Sequence, residues 1–446
     1  MNSIRTYKKR WSLLFASLVL LLTVLPAQAA ESGDAKRHQI IFALDGSYSM
    51  TEDRWQAAID CVAMITAMLP SDYETAVLVY NEDIVFYTEF GQVAESLEDV
   101  RQLQRRGYTN TGLAVDRALE SFSPNASIEK RIVIISDGEI SMKGQTATDE
   151  ALLLYEQAVR KAKALSVKLD ICLFADEQIE KQIVGGEEAT GGCLYEETKL
   201  QFVNTLADGY LFEQLGIRRV MLGTSDAVNN SSDISLGDTC AEKVRILVTA
   251  DSPIEDIQVT CQSKGILNIR GDQFAVIELE QPLEETVKLQ YTLAGQGHVQ
   301  TYLTKEYNLS VNMEAVYIPE LSGHEIMVWV KNAQGENLFA EENLEKKIEI
   351  YIEDQKADYD RDQDAAVIFY PVEESKEISV RVNFDNLEGY VSADGEEGRL
   401  FLKLPPPEPP VEEEESYVWV YVVVSGVCII FVILLILLIR SKKKLH

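Results

Sequence analysis

The chain has little cysteine, little histidine and a shortage of positive charge. Six cysteines in 446 residues are too few for the disulfide scaffold that small secreted domains rely on. Two pairs, Cys172 with Cys193 and Cys240 with Cys261, fall on segments where either could bridge, and spacing alone does not decide it. The four histidines, His38, His298, His324 and His446, are scattered without zinc-ligand spacing. No serine or cysteine stands in a recognisable nucleophile context. These absences point away from an enzyme. Lysine and arginine number 41 against 72 aspartates and glutamates, a net charge of −31. Such a field repels phosphate backbones and excludes nucleic acid as the ligand.

Long apolar runs are equally scarce. One, 11–25, follows Arg5, Lys8, Lys9 and Arg10 and ends before the small residues Ala27, Ala29 and Ala30, so residues 1–30 read as a cleaved signal peptide. Another, 417–439, carries no charge and is long enough to cross a hydrocarbon core of about 30 Å as one transmembrane helix. Arg440, Lys442, Lys443 and Lys444 follow it, whereas Glu412 to Glu415 precede it. That asymmetry predicts a short cytoplasmic tail, 440–446, and a single-pass membrane protein of the cell surface with its ectodomain exported. Residues 404–416, opening LPPPEPPVEEEE, read as a stiff Pro/Glu stalk.

Between these ends the texture changes once. Over 38–222, short β-branched runs (40–44, 76–80, 84–87, 131–135, 168–174 and 193–195) alternate with helical stretches (54–69, 96–105, 112–122, 149–165 and 200–215). This pattern predicts an α/β fold, a doubly wound, mostly parallel sheet with helices on both faces. Beyond it, short period-two runs separated by turn signals predict two β-sandwich domains, 223–306 and an Ig-like 307–403.

The chemistry concentrates where DGSYSM, residues 45–50, follows the apolar strand 40–44. In an open parallel sheet, ligands bind beyond the carboxyl ends of the strands. Asp45, Ser47 and Ser49 lie on such a loop. The strand 131–135 runs into Ser136, Asp137, Gly138 and Glu139 at the same edge, and GYTNTG, 107–112, brings Thr109 and Thr111 there just before a helix. Two carboxylates with several hydroxyls form an all-oxygen set of the kind a hard divalent cation prefers. Hydroxyl ligands leave the cation's charge undercompensated, so a metal held this way seeks a carboxylate from outside.

D-G-S-x-S, T-N-T-G and S-D-G-E, placed on this strand and helix pattern, closely resemble the metal-ion-dependent adhesion site of the von Willebrand factor type A domain. The resemblance covers 38–215. It implies that Asp45, Ser47, Ser49, Thr109 and Asp137 form the metal site, the hydroxyls binding directly and the aspartates partly through water, and it selects Thr109 over Thr111. The implied ion is Mg²⁺, with Ca²⁺ or Mn²⁺ tolerated by the family. It further implies a site facing away from both domain termini, hence away from the membrane, and a closing helix at 200–215 that can shift when ligand binds. Tyr48 departs from the pattern, standing where glycine is common, and makes the loop bulkier. The function expected is a receptor or adhesin that captures an exposed Asp or Glu of an extracellular or envelope protein. The alternative is a lateral scaffold or assembly partner for membrane or envelope proteins, with a structural metal.

Two weaker signals carry no function. DYDRDQDAA, from Asp358, starts like a calcium loop but places Gln363 where the loop needs glycine and Phe369 where it needs glutamate, and so reads as a solvated acidic turn. The sequons at Asn125, Asn229, Asn230 and Asn308 read as turn residues.

Overall fold

A computed structural model describes residues 37–175, 180–340, 344, 346–405, 423, 425–427 and 429–434. The expected signal peptide and tail lie outside the described residues, as do nearly all of the stalk and most of 417–439, whose described positions are helical. No helix among the described residues is long and apolar enough to cross a membrane.

The N-terminal domain is built on a six-stranded sheet. Its strands are β1 (His38–Asp45), β2 (Tyr73–Tyr80), β3 (Ile84–Tyr87), β4 (Glu129–Ser136), β5 (Val167–Phe174) and β6 (Leu194–Glu197). Their spatial order is β3-β2-β1-β4-β5-β6. All pairs are parallel except β2 with β3, the antiparallel edge. The central strands are continuous apolar runs because helices cover both faces. α1 (Glu52–Met68), α2 (Val93–Gln102), α3 (Thr111–Ser121) and α4 (Gln145–Ala164) fall within a few residues of the expected helices. A short helix, α5 (Gly186–Thr190), was not expected. The expected closing helix begins as α6 (Lys199–Thr205) and continues as a π-helix over Leu206–Gln214. Gly112, at the start of α3, packs so tightly on α4 that an added Cβ would lie 2.4 Å from the Tyr155 backbone nitrogen.

Between Trp55 and Met68, α1 is polar only at Gln56, Asp60 and Thr66. A helix apolar nearly all round is buried on more than one side. One side of α1 packs on the sheet through Ile40, Phe42 and Val133; another shares the same core with Leu247, Phe274, Val276 and Tyr302 of the C-terminal half.

That half contains β7 (Val220–Ser225), β8 (Asn229–Ser235), β9 (Lys243–Ala250), β10 (Ile254–Thr260), β11 (Ser263–Arg270), β12 (Phe274–Pro282), β13 (Thr286–Leu293) and β14 (Val299–Ile318). β15 (Gly323–Asn332), β16 (Glu349–Ile352), β17 (Gln355–Lys356), β18 (Asp358–Asp360), β19 (Ala365–Pro371), β20 (Lys376–Asn383), β21 (Tyr390–Asp394) and β22 (Glu397–Leu402) follow. One sheet, β11-β12-β9-β14-β15-β19-β18 with β7 and β21 attached to β14, runs the length of this half. The smaller sheets β10-β13-β8 and β17-β16-β20-β22 share its core. The architecture is sandwich-like, but the chain does not break at 306/307. β14 is one strand of 20 residues; up to Glu306 it pairs with β9, and from Leu309 it pairs with β15. The position expected to divide two domains is a change of partner within a strand.

Polar contacts reinforce the joint between the halves. Asp60 on α1 accepts from Asp272 N at 3.1 Å and from Arg101 Nη2 at 3.2 Å. Glu306 accepts from Ser71 N and from Arg245 Nη1, each at 2.9 Å. Asp208, in the π-helix, accepts from Tyr302 Oη at 2.8 Å and pairs with Arg219. The Arg219 guanidinium lies 4.4 Å from the ring centroid of Phe212 and 4.9 Å from that of Tyr302.

Neither of the two possible disulfides forms: Cys172, Cys193 and Cys261 are free thiols, as is the buried Cys61. Cys193 instead donates through Sγ to Asp170 at 3.3 Å. This buried carboxylate also receives Arg131, the Cys193 N–H and Tyr210 Oη of the π-helix. The acidic turn after β18 closes on itself, with Asp362 N donating to Asp360 and Tyr359 Oη to Asp364.

Candidate metal centre

Asp45 is the last residue of β1 and Asp137 follows the last residue of β4, its parallel neighbour. The sheet therefore delivers both carboxylates to one edge. Backbone bonds lash three loops together there. Arg106 N donates to Gly46 O at 2.9 Å and Tyr48 N to Gly107 O at 3.3 Å, joining the DGSYS loop to GYTNTG. Thr109 and Ser141 exchange N–H to carbonyl bonds of 2.8 and 3.1 Å, joining GYTNTG to the segment after SDGE. Gly138 holds φ at +96°, a conformation that favours glycine, as the chain turns out of β4. Because the main chain does the fastening, side-chain oxygens are left to face one another.

Asp45, Ser47, Thr109 and Asp137 are all buried, each no more than 1% exposed, and Ser49 is half-buried. Asp45 Oδ1 accepts from Ser47 N at 2.9 Å, and its Oδ2 accepts from Ser136 Oγ at 2.7 Å. The hydroxyls of Ser47 and Ser49 are 3.0 Å apart. Asp137 Oδ1 accepts from Glu139 N at 3.3 Å. Asp137 Oδ2 and Thr109 Oγ1 are buried and have no hydrogen-bond partner among the described residues. Thr111, by contrast, is engaged: its hydroxyl lies 3.3 Å from Tyr80 Oη. All five sequence-expected residues thus lie at this edge, Asp45 at the end of β1 and the other four on the loops beyond the strands. Ser136 was missed. It lies inside the S-D-G-E stretch, but its role, holding Asp45 while accepting from Gly138 N at 3.0 Å, depends on the neighbouring strand and leaves no mark in spacing.

The electrostatics favour a cation. Burial first and the nearby Asp137 second push the Asp45 carboxyl up to about 7, against the lowering bonds from Ser136 and Ser47. Glu139 is raised by burial and by Asp137 as well. Native proteins seldom leave buried polar atoms unpaired, because each costs about 1–3 kcal/mol. A divalent cation bound by oxygen would satisfy both orphan atoms and remove the repulsion between the carboxylates. The residues therefore fit a hard metal ion. Among the described residues no group of three or more His, Cys, Asp or Glu could hold one, but hydroxyls supply most of the donors here. At the rim Tyr48 is 76% and Tyr108 40% exposed.

Residues 39–205 match the family model of the von Willebrand factor type A domain, and the N-terminal domain is a type A domain. No curated protein matches the chain. Among solved structures it is similar to an aerotolerance-related membrane protein from Bacteroides fragilis, at 15% identity over 35% of this chain and 90% of that one, with a TM-score of 0.29. It is similar also to a von Willebrand factor type A protein from Catenulispora acidiphila, at 13% identity over 67% and 64%, TM-score 0.34. A third is proximal thread matrix protein 1 of the mussel byssus with a zinc-occupied MIDAS motif, at 14% identity over 41% and 49%, TM-score 0.31. At these scores none carries an argument of its own.

Proposed function

We propose that this chain is a cell-surface binding protein whose type A domain captures an Asp or Glu side chain of an extracellular or envelope protein through a divalent cation, Mg²⁺ in the first instance. The observation that carries the reading is the pair of buried atoms, Thr109 Oγ1 and Asp137 Oδ2, that find no hydrogen-bond partner among the described residues, beside a second carboxylate whose proton affinity burial and Asp137 raise. Ser47, Ser49 and Thr109 would supply hydroxyl oxygens, and Asp45 and Asp137 the compensating charge. The bound ion would supply a partly dehydrated positive centre for a ligand carboxylate. Ser136 positions Asp45, and the backbone bonds among the three loops hold the donors converged, so little ordering is left for the moment of binding. Residues 1–30 and 417–439 fit a leader and an anchor that place the site outside the cell.

The test is affinity capture with the full chain in detergent, in Mg²⁺ and in excess chelator, beside Asp137→Ala. Capture that needs Mg²⁺ and is lost in the variant supports the reading; capture unchanged by both overturns it.

The core shared by α1 and the β-rich half favours a second reading, lateral scaffolding, because a type A domain fused to its neighbour can present one rigid surface to membrane or envelope partners. In that case the metal braces the loops, and partners are retained in chelator.

A further inference from the structure

We infer that β11 is a strand-addition site for an extended, apolar segment of another protein, distinct from the metal edge. β11 ends the long sheet and, among the described residues, pairs only with β12. It has eight residues, SKGILNIR, with no proline and an unbroken register against β12. Folded proteins usually blunt such an edge, since its free N–H and C=O groups are a template for another chain. Several other edges among the described residues are blunted. β3 and β6 have four residues each, β18 has three, β10 has a register shift after Ile254, and β8 is the polar NNSSDIS. β11 instead leaves Ile266 and Leu267 52% and 53% exposed at its centre.

A cavity of about 400 Å³ adjoins it, lined by Leu267 and Ile269 of β11, Ala63 and Ala67 of α1, Leu97 of α2 and Val276 of β12. The charged groups at its wall, Arg245 and Glu278, are already paired at 2.7 Å. The cavity therefore suits an uncharged apolar side chain, and the free edge suits only an extended backbone. Exposed Lys264 and Arg270, near the ends of β11, favour acidic residues flanking the apolar centre of that segment. The occupant is an extended peptide segment with alternating apolar side chains and acidic ends.

The probe is a fluorescent octapeptide alternating leucine and threonine, with a glutamate added at each end, titrated by anisotropy against the full chain in detergent. Two controls separate ladder formation from simple greasiness: the same peptide N-methylated at alternate residues, and the variant Leu267→Lys, whose exposed position tolerates charge. Saturable binding, at least tenfold weaker in each control and unchanged by chelator, is the expected result. Equal binding of the N-methylated peptide, or no effect of Leu267→Lys, overturns the proposal. Self-association of the chain that Leu267→Lys abolishes would also overturn it, giving the edge to a second copy.

Discussion

Ser136 Oγ donates to Asp45 Oδ2 at 2.7 Å, so a hydroxyl at the end of one strand fixes the carboxylate at the end of the next. The bond places Asp45 without using the oxygens of Ser47, Ser49 or Thr109. Ser136→Ala should lower folding stability by about 1–2 kcal/mol, the cost of leaving a buried acceptor short of a donor, and weaken Mg²⁺ binding several-fold. Denaturant melts and calorimetric Mg²⁺ titration of the same samples check both. A wild-type Mg²⁺ affinity in the variant would remove Ser136 from the site.

Asp45 gives the centre a pH dependence. Its carboxyl lies near 7 in the fold against an ordinary 3.8. The folded state thus holds a proton that the unfolded chain releases. The associated stability is present below 3.8 and is lost as pH rises towards 7, by on the order of 4 kcal/mol without metal. Proton and cation compete for the same oxygen, so Mg²⁺ should bind more tightly as pH rises through about 7 and should restore the lost stability. Urea melts at pH 5 and pH 8, with chelator and with Mg²⁺, test this; equal Mg²⁺ stabilisation at both would contradict it.

Glu306 responds in the opposite direction. Burial alone would raise its carboxyl, but Arg245 and the contacts with Ser71 bring it below the ordinary 4.5. The stabilisation is therefore present above 4.5 and is lost as pH falls through the lower folded value. Glu306→Gln should cost about 3 kcal/mol near neutrality, because Arg245 loses a buried partner. It should also flatten the acid limb of the stability curve, which melts between pH 3 and pH 7 measure directly.

The type A domain should not stand alone. Residues 37–218 expressed without the β-rich half would expose the side of α1 that meets Phe274 and Val276, and would leave Asp60 and Asp208 without the partners Asp272 and Tyr302. Such a fragment should bind a hydrophobic dye and aggregate, whereas residues 37–405 should not. A monomeric, dye-silent short fragment would show that the joint contributes little.

Much of this protein could be read from its sequence because burial leaves a periodic signature. Strands covered on both faces must be apolar throughout, which is why β1, β4 and β5 stood out; the carboxyl ends of β1 and β4 then placed Asp45 and Asp137 at one edge, where GYTNTG brings Thr109. β11 was not legible. An edge strand need not commit one face to a core, so SKGILNIR shows no clean alternation. The π-helical course of Leu206–Gln214 was hidden too, since side-chain pattern does not report which carbonyl a backbone N–H chooses.

The sequence by itself determined which side chains meet at the candidate metal edge and the α/β character of the domain that carries them, because both depend on local order along the chain. Only the tertiary structure decided that Thr111 is spent on Tyr80 while Thr109 is not, and that Ser136 holds Asp45. It also decided that the two halves share a core instead of meeting at a linker. These are contacts between segments distant in sequence, where packing and the need to satisfy buried polar groups, rather than local periodicity, select the partner.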